Sequence, residues 1–390
     1  MLLSELESEL LIDFDHVLSV DAFVGAARQM EGAFELTEFW PAFEELPVRG
    51  PEGRFVHELT IPFVRHRAPT RRAPAPPIHR DVERIFPPTS RWLYLQLYTG
   101  SATADLVLRD AIAPLVARAM ESGAADRWFF IRYNDPQNHL RVRFGGEPAR
   151  LREIIDWLPE LLDPLFDEGR IWRWQLDTYE REVERYGGSD GMEISERIFH
   201  ADSEAVLAIL ETLAGDRGAD WRWRVALVGI DRLIADFGFD LAGRRDMLSD
   251  LRRSFGDEFA AGPELTQQLA QRLRETGDEL YELLTAPISP DHPLAGSIAT
   301  LDQRSAKIAP LIAELRALES QGALTTRLDD LVPSYIHMFV NRLIRSDARR
   351  HELVLYDLLH RLTTSRIARA GAVSKASAPH ETDPTPAPAS

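Results

Sequence analysis

Residues 128–144 read WFFIRYNDPQNHLRVRF. An aromatic, apolar run, Arg127–Tyr133, meets the turn-forming Asn134-Asp135-Pro136-Gln137-Asn138. An alternating run, His139–Phe144, follows, so the pattern predicts a β-hairpin. Upstream, WLYLQLY at Trp92–Tyr98 predicts a strand. Thr103–Met120 predicts a helix, with Leu106, Ile112, Leu115, Val116 and Ala119 on its apolar stripe. Downstream, Leu151–Phe166 predicts a helix and Ile171–Tyr179 a strand. The order β-α-β-β-α-β predicts a ferredoxin-like unit, a four-stranded sheet with both helices on one face. Its other face is left for another domain or a ligand.

Alternation suggests what that face carries. Along His139–Phe144, Leu140, Val142 and Phe144 share one side, and His139, Arg141 and Arg143 the other. Arg132, on the partner strand, is expected to join them. Such a row suits an anion pocket, because a planar guanidinium offers a bidentate donor fork. A solvated face or ion pairs to nearby acids would give the same pattern.

Beyond residue 190 the chain reads as helical. Segments are expected at 195–213, 221–237, 243–255, 266–284, 300–321, 331–345 and 350–363, punctuated by Pro263, Pro287, Pro290 and Pro293. The expected class is therefore α+β, with a large helical C-terminal region closing over the polar face. Residues 1–66 form a small α/β segment, with strands at 10–14 and 55–64, a helix at 20–30 and a turn at 50–53. Residues 67–90 are a Pro-rich linker. Residues 91–370 form the main domain, its sheet part at 91–189 and its helical part at 190–370. The Pro/Ala/Ser/Thr-rich tail, 371–390, is expected to be disordered.

Composition narrows the chemistry. Of 390 residues, 44% are hydrophobic and 27% charged, a globular balance. The formal charge of −17 opposes a nucleic-acid-gripping surface. No cysteine is present, which removes disulfides, thiolate metal sites and cysteine nucleophiles. Lysine occurs only at Lys307 and Lys375, so arginine is the default anion clamp. The acidic, interrupted N-terminus is unlike a signal peptide, and no charge-free apolar run reaches membrane-spanning length; a cytoplasmic protein is expected. The histidines show no metal-ligand spacing, and no Gly-rich nucleotide loop follows a strand.

Two further clusters carry candidate chemistry. Glu182 and Arg185 are three apart, Tyr179 is three before Glu182, and Gly187-Gly188 follows. One helical turn would put the three side chains on one face; an ordinary i,i+3 ion pair is the plainer alternative. His337, Asn341 and Arg345 fall at i, i+4 and i+8 on one helical face. Histidine moves protons near neutral pH, although a lone helical histidine can equally be structural. Asn341 could fix the imidazole tautomer or bind a peptide backbone, and Arg342 could pair with an acid.

RWLYLQLYTG (91–100), WFFIRYNDPQNHLRVRF (128–144), YEREVERYGG (179–188) and HMFVNRL (337–343) together resemble the elimination domain of class I lanthipeptide dehydratases, which also occurs as separate thiopeptide-pathway proteins. The resemblance spans about residues 85–365. GRFVHELTIPFVR (53–65) resembles the closing segment of the preceding glutamylation domain, so the sequence resembles a split, stand-alone subunit. The resemblance implies a lyase that expels glutamate from glutamylated Ser or Thr of a ribosomally made precursor peptide, leaving dehydroalanine or dehydrobutyrine. It implies Arg143, Glu182, Arg185 and His337 as catalytic residues, with Arg141, Arg132, His139 and Asn341 binding substrate. No metal or organic cofactor is expected. The implied partners are a precursor peptide with its leader and a separate glutamyl-tRNA-dependent glutamylation protein. Direct tRNA binding and membrane attachment are not expected, and a homodimer stays open. Two other readings share the fold: a pyridine synthase joining dehydroalanines by formal [4+2] cyclisation, and a non-catalytic leader-binding scaffold.

Overall fold

The computed structural model describes residues 1–5, 8–29, 36–38, 46–55, 82–213 and 215–376, and divides the chain into units 1–75 and 76–390. In the first unit, β1 (Leu2–Glu5) pairs antiparallel with β2 (Ser8–Leu11). Helix α1 (Val17–Gln29) follows, and β3 (Leu36–Thr37) adds to the other edge of β1. A hairpin of β4 (Val48–Gly50) and β5 (Gly53–Phe55) turns at the predicted glycines. The strand expected over 55–64 lies outside the described residues, apart from Phe55.

The second unit begins earlier than the linker prediction allows. Ile85–Phe86 forms β6 and pairs with β11 (Tyr179–Glu180), and Phe86 is fully buried. The expected linker 67–90 is therefore corrected at this end: an Ile-Phe pair between proline-rich stretches finds a strand partner nearly a hundred residues away. Residues 67–81 lie outside the described residues.

Next come β7 (Trp92–Tyr98), a helical segment, β8 (Arg127–Tyr133), β9 (His139–Gly145), α4 (Pro148–Asp167) and β10 (Arg173–Asp177). The first helical segment is α2 (Ala104–Val107), a π-helical turn at Leu108–Ile112, and α3 (Ala113–Ser122). The wide turn lies just before Pro114, which cannot donate the usual helical hydrogen bond. The sheet order is β10-β7-β9-β8, with every pair antiparallel. Leu93, Leu95, Leu97, Leu140, Val142 and Phe144 are all buried on one face. The fold is α+β with a large helical region. The predicted strand 171–179 divides into β10 and β11, because Thr178 ends one pairing before Tyr179 enters the other.

Register decides which arginines share a face. Tyr133 pairs with His139 across the five-residue turn, which places Arg132 opposite Leu140 and Ile131 opposite Arg141. Arg132 therefore points to the apolar, helix-covered side, away from Arg141 and Arg143. The expectation that it joins their row is corrected; a turn one residue longer or shorter would reverse the result.

Seven helices follow: α5 (Ser189–Thr212), α6 (Gly215–Asp236), α7 (Leu241–Glu258), α8 (Pro263–Thr285), α9 (Ala295–Ser320), α10 (Leu328–Leu343) and α11 (Ala348–Ala376). Helix α11 runs six residues into the expected disordered tail, 371–390; the rest of that tail lies outside the described residues. The helical layer was expected to close over the polar face, but α5 and α10 dock along β8, the edge strand. Phe130 N–H donates to Ser203 Oγ at 3.2 Å, Arg132 N–H to Asn341 Oδ1 at 2.9 Å, and Arg342 Nε to the Phe130 carbonyl at 2.7 Å. Side chains thus seal backbone groups that an exposed edge would leave unpaired.

Two buried ion clusters fasten the helices to the sheet. Arg342, fully buried, also donates to Asp202, which pairs with Arg304 of α9; Arg342 thus finds the acid that the sequence suggested. Asp105 accepts from Arg132, Arg222 and Arg345 at 2.6, 2.6 and 2.7 Å. Burial raises its carboxyl pKa, but the arginines outweigh burial and hold it far below the usual range. Asp105→Asn leaves buried guanidinia without their shared anion and should cost about 3–5 kcal/mol, read by denaturant unfolding at neutral pH. Because the folded pKa is depressed, the stabilisation is full above an unfolded pKa of ~3.9 and declines as pH falls toward the folded value. A variant whose midpoint matches the parent at pH 7 would show that the cluster carries no net stability.

Candidate active site

The polar sheet face presents three cross-strand rows. Arg173, Tyr98, His139 and Tyr133 form one, Gln175, Gln96, Arg141 and Ile131 the next, and Asp177, Tyr94, Arg143 and Phe129 the third. Arg143 is only 7% exposed. Its guanidinium lies 4.4 Å from the Tyr94 ring, 4.7 Å from Tyr179 and 5.2 Å from Phe129. No carboxylate among the described residues pairs with it, and its buried Nε has no hydrogen-bond partner. Burial pulls its pKa down and Arg141 adds to that, while Tyr179, Tyr94 and Glu182 oppose. Aromatic faces supply electrons to the cation but cannot accept its N–H groups in the plane of the fork. Chemically, a buried guanidinium with an unmatched N–H can receive an anion.

Arg141 is held differently. His139 Nδ1 lies 2.7 Å from the Gln137 carbonyl, and Arg141 Nε donates to His139 Nε2 at 2.9 Å. The first contact fixes the Nδ1–H tautomer, which leaves Nε2 as the acceptor for Arg141. Desolvation is the main influence lowering the His139 pKa, with Arg141 adding to it. His139 is buried and stacks on Tyr98; it positions Arg141 and does not present a free nitrogen to substrate. The Arg141 guanidinium covers the Tyr133 ring at 3.4 Å.

Glu182 and Arg185 sit in the turn after β11. Arg185 Nη1 donates to Glu182 Oε2 at 2.8 Å, and Arg185 Nε contacts Ser334 Oγ at 3.3 Å. The expected helical face is corrected in one respect: Tyr179 belongs to β11, and only the turn after Glu182 is helix-like. Tyr179 and Arg181 both bond the buried Glu196 of α5, which fixes where that turn starts. Gly187 and Gly188 have φ of +82° and +100°, so L side chains would be strained there. Leu324, Thr325 and Leu331 pack against these glycines; the close approach is made by a protein loop.

Ser334, His337 and Asn341 follow one another on one face of α10. His337 Nδ1 lies 3.0 Å from Glu352 Oε2, and Glu352 is fully buried on α11, where Tyr356 also donates to it. Glu352 thereby holds the Nδ1–H tautomer and leaves Nε2 for chemistry. Asn341 does not touch the imidazole. Both its amide groups bond the Arg132 backbone, at 2.9 Å each, and Glu352 takes the imidazole Nδ1, so its expected role at the tautomer is corrected. His337 lines a cleft of ≈ 710 Å³ with Tyr133, Asn138, Asn341, Arg345 and Arg349.

The structure thus brings Arg143 into the field of Glu182, ties Arg185 to the α10 turn preceding His337, and places Tyr133 between Arg141 and the His337 cleft. It takes Arg132 off the Arg141–Arg143 row and into the lining of the His337 cleft. Sequence reasoning missed Tyr94 and Phe129, although both follow from alternation on the strands already assigned. It missed Glu352, whose pairing with His337 joins two helices and has no local signal. Among the described residues, no group of three His, Asp or Glu side chains could hold a metal ion, and no helix is long and apolar enough to cross a membrane.

A family model described as lantibiotic biosynthesis dehydratase C-term matches residues 92–363. The chain is 23% identical over 381 residues to the subtilin biosynthesis protein SpaB of Bacillus subtilis, covering 92% of this chain and 34% of that protein. It is 29% identical over 206 residues to the nisin biosynthesis protein NisB of Lactococcus lactis, covering 52% of this chain and 20% of that protein. The crystal structure of the tRNA-dependent lantibiotic dehydratase MibB from Microbispora superposes with a TM-score of 0.58 and 28% identity, over 72% of this chain and 29% of that one. The chain therefore spans about a third or less of the length of these proteins.

Proposed function

From the premise that this chain belongs to the lantibiotic biosynthesis dehydratase C-terminal family, we propose that it is a lyase expelling glutamate from glutamylated Ser or Thr in a ribosomally made precursor peptide. The observation that carries the reading is Arg143, a buried guanidinium caged by aromatic rings and paired with no acid among the described residues. A glutamyl ester has a free carboxylate, and Arg143 offers it a desolvated donor fork. Arg141 stands beside it as second clamp. The strand order β10-β7-β9-β8 and the antiparallel pairing support reading the sheet as ferredoxin-like.

In the reaction the α-proton leaves to a base, the Cβ–O ester bond breaks, glutamate departs as a carboxylate, and Cα=Cβ forms. The base and the charge stabilisation must come from the site, because an amide α-proton is too weakly acidic to leave unaided at neutral pH. His337 Nε2 transfers the proton. Arg185, oriented by Glu182, meets the negative charge on the enolate or the departing oxygens. These roles extend the expectations for Arg143, Glu182, Arg185 and His337, and Arg141 and Asn341 are kept as substrate contacts.

The test supplies preformed glutamylated peptide to the isolated chain. Dehydrated peptide and one free glutamate per site are expected, and chelation should not slow their release, since no electron transfer is needed. Rescue of a chelated, inactive sample by one metal would overturn the cofactor part of the proposal. A folded protein that eliminates nothing would favour the cyclase or scaffold readings.

The glutamylation step is assigned to a separate protein. With glutamyl-tRNA and peptide alone, these 390 residues should add no glutamyl group; the −17 formal charge agrees, since tRNA binding draws on basic surface. Mass spectrometry of the peptide decides it, and a glutamyl adduct formed without the second protein would refute the division of labour.

A further inference from the structure

The Asp105 cluster is out of charge balance in a way that its structural role does not require. Three guanidinia share one carboxylate, and no second acid among the described residues pairs with Arg132 or Arg222. Both arginines are more than nine-tenths buried. Arg132 Nη1, Arg222 Nε and Arg222 Nη1 are buried with no hydrogen-bond partner. Asp105 accepts at Oδ1 from Arg132 and at Oδ2 from both Arg222 and Arg345, and none of these bonds reaches the three unmatched groups. Leaving such donors unmatched is costly, and charged ones more so. Arg132 Nε donates to the Arg342 carbonyl at 2.9 Å and its Nη2 to Asp105, which leaves Nη1 as its one unmatched group.

A cavity of ≈ 20 Å³ adjoins the cluster, lined by Arg132, Arg345, Ser101, Ala104, Asn138 and Leu140 among others. That space suits an occupant of about one water's size, too small for phosphate or a carboxylate. Arg132 and Arg345 also line the larger cleft that holds His337.

We propose that Arg132 and Arg345, gathered with Arg222 around Asp105, form a binding site for a halide-sized monovalent anion in the floor of the His337 cleft. The ion accepts from Arg132 Nη1, the unmatched donor on a residue lining the cavity, and lowers the net charge of the cluster. It anchors Arg345, and with it the start of the 344–347 connection between α10 and α11, where Asp347 holds a φ of +51°. The proposal does not depend on the reaction assigned to the cleft.

Thermal unfolding of the full chain tests it, with sodium chloride or bromide exchanged for sodium gluconate at fixed ionic strength. Chloride at tenfold its dissociation constant should raise Tm by about 2–4 °C, saturably. Arg345→Gln, at the exposed rim, keeps the fold and should lose most of the chloride-dependent rise; Arg132→Met, which removes the unmatched donor, should lose it entirely. A crystal soaked in bromide should show an anomalous peak within hydrogen-bond distance of Arg132 Nη1. Equal Tm in chloride and gluconate would overturn the site, as would an identical rise in parent and Arg345→Gln. A water at that position in the bromide-soaked crystal would overturn it as well.

Discussion

Arg143→Lys is expected to slow single-turnover elimination by about 10²–10³-fold, the scale seen when one preorganised electrostatic contact is lost. Lysine keeps the formal charge but not the planar fork, and its strongly hydrated ammonium is poorly suited to a cage of Tyr94, Phe129 and Tyr179. With a glutamylating partner present, the variant should accumulate glutamylated peptide, because binding of the peptide chain does not depend on this side chain.

The same residue permits a sharper distinction between a structural and a ligand-binding arginine. Arg143 and Arg342 are both buried. Arg342 bonds Asp202 and the Phe130 carbonyl, so Arg342→Met leaves the buried carboxylate to Arg304 alone and the carbonyl unpaired, and should cost about 3–5 kcal/mol. Arg143 has no acid to strand, and its Nε is unmatched. Arg143→Met should therefore leave stability within about 1 kcal/mol of the parent, the lost cation–π contacts offsetting the relief of a buried charge, while elimination is abolished. Calorimetry and the elimination assay on the same samples give the comparison. If Arg143→Met unfolds as readily as Arg342→Met, its arginine is structural and the anion receptor is the wrong reading.

The contrast also shows what the sequence could convey. The strands Trp92–Tyr98, Arg127–Tyr133 and His139–Gly145 were legible because each is an aromatic or alternating run beside turn-forming residues. Alternation within one strand put Arg141 and Arg143 on one face. It could not align two strands, so Arg132 was placed with them until the pairing of Tyr133 with His139 showed otherwise. Tyr179 ends the predicted strand 171–179 and also falls at helical spacing from Glu182, yet its position is set by Phe86, a partner the local pattern does not contain. The family motifs marked His337, but the acid that orients it is fifteen residues on, across a helix–helix packing. Local periodicity reports the face of an element; the environment of a buried charge is a tertiary fact.

That acid leads to the second large effect. His337→Ala should slow elimination by ~10²–10⁴-fold, the range for acid–base groups. If the imidazole acts through Nε2 with Nδ1–H held by Glu352, the variants of α11 should fall in a fixed order. Glu352→Leu removes the acceptor and frees the ring to take the wrong tautomer, and should approach the loss of His337→Ala. Glu352→Gln retains an oxygen acceptor but not its charge, and should cost about 10-fold to 10²-fold. Tyr356→Phe removes only the hydroxyl bonded at 2.9 Å to Glu352 Oε1 and should cost the least. The losses should appear in kcat with KM little changed, since neither Glu352 nor Tyr356 is expected to touch the peptide. A structural role for Glu352 would instead follow the folded fraction. Glu352→Gln and Glu352→Leu, compared at matched folded fraction by near-UV circular dichroism, separate the two explanations. Near-normal turnover in Glu352→Leu, or in His337→Ala, would remove the proton-transfer role from α10.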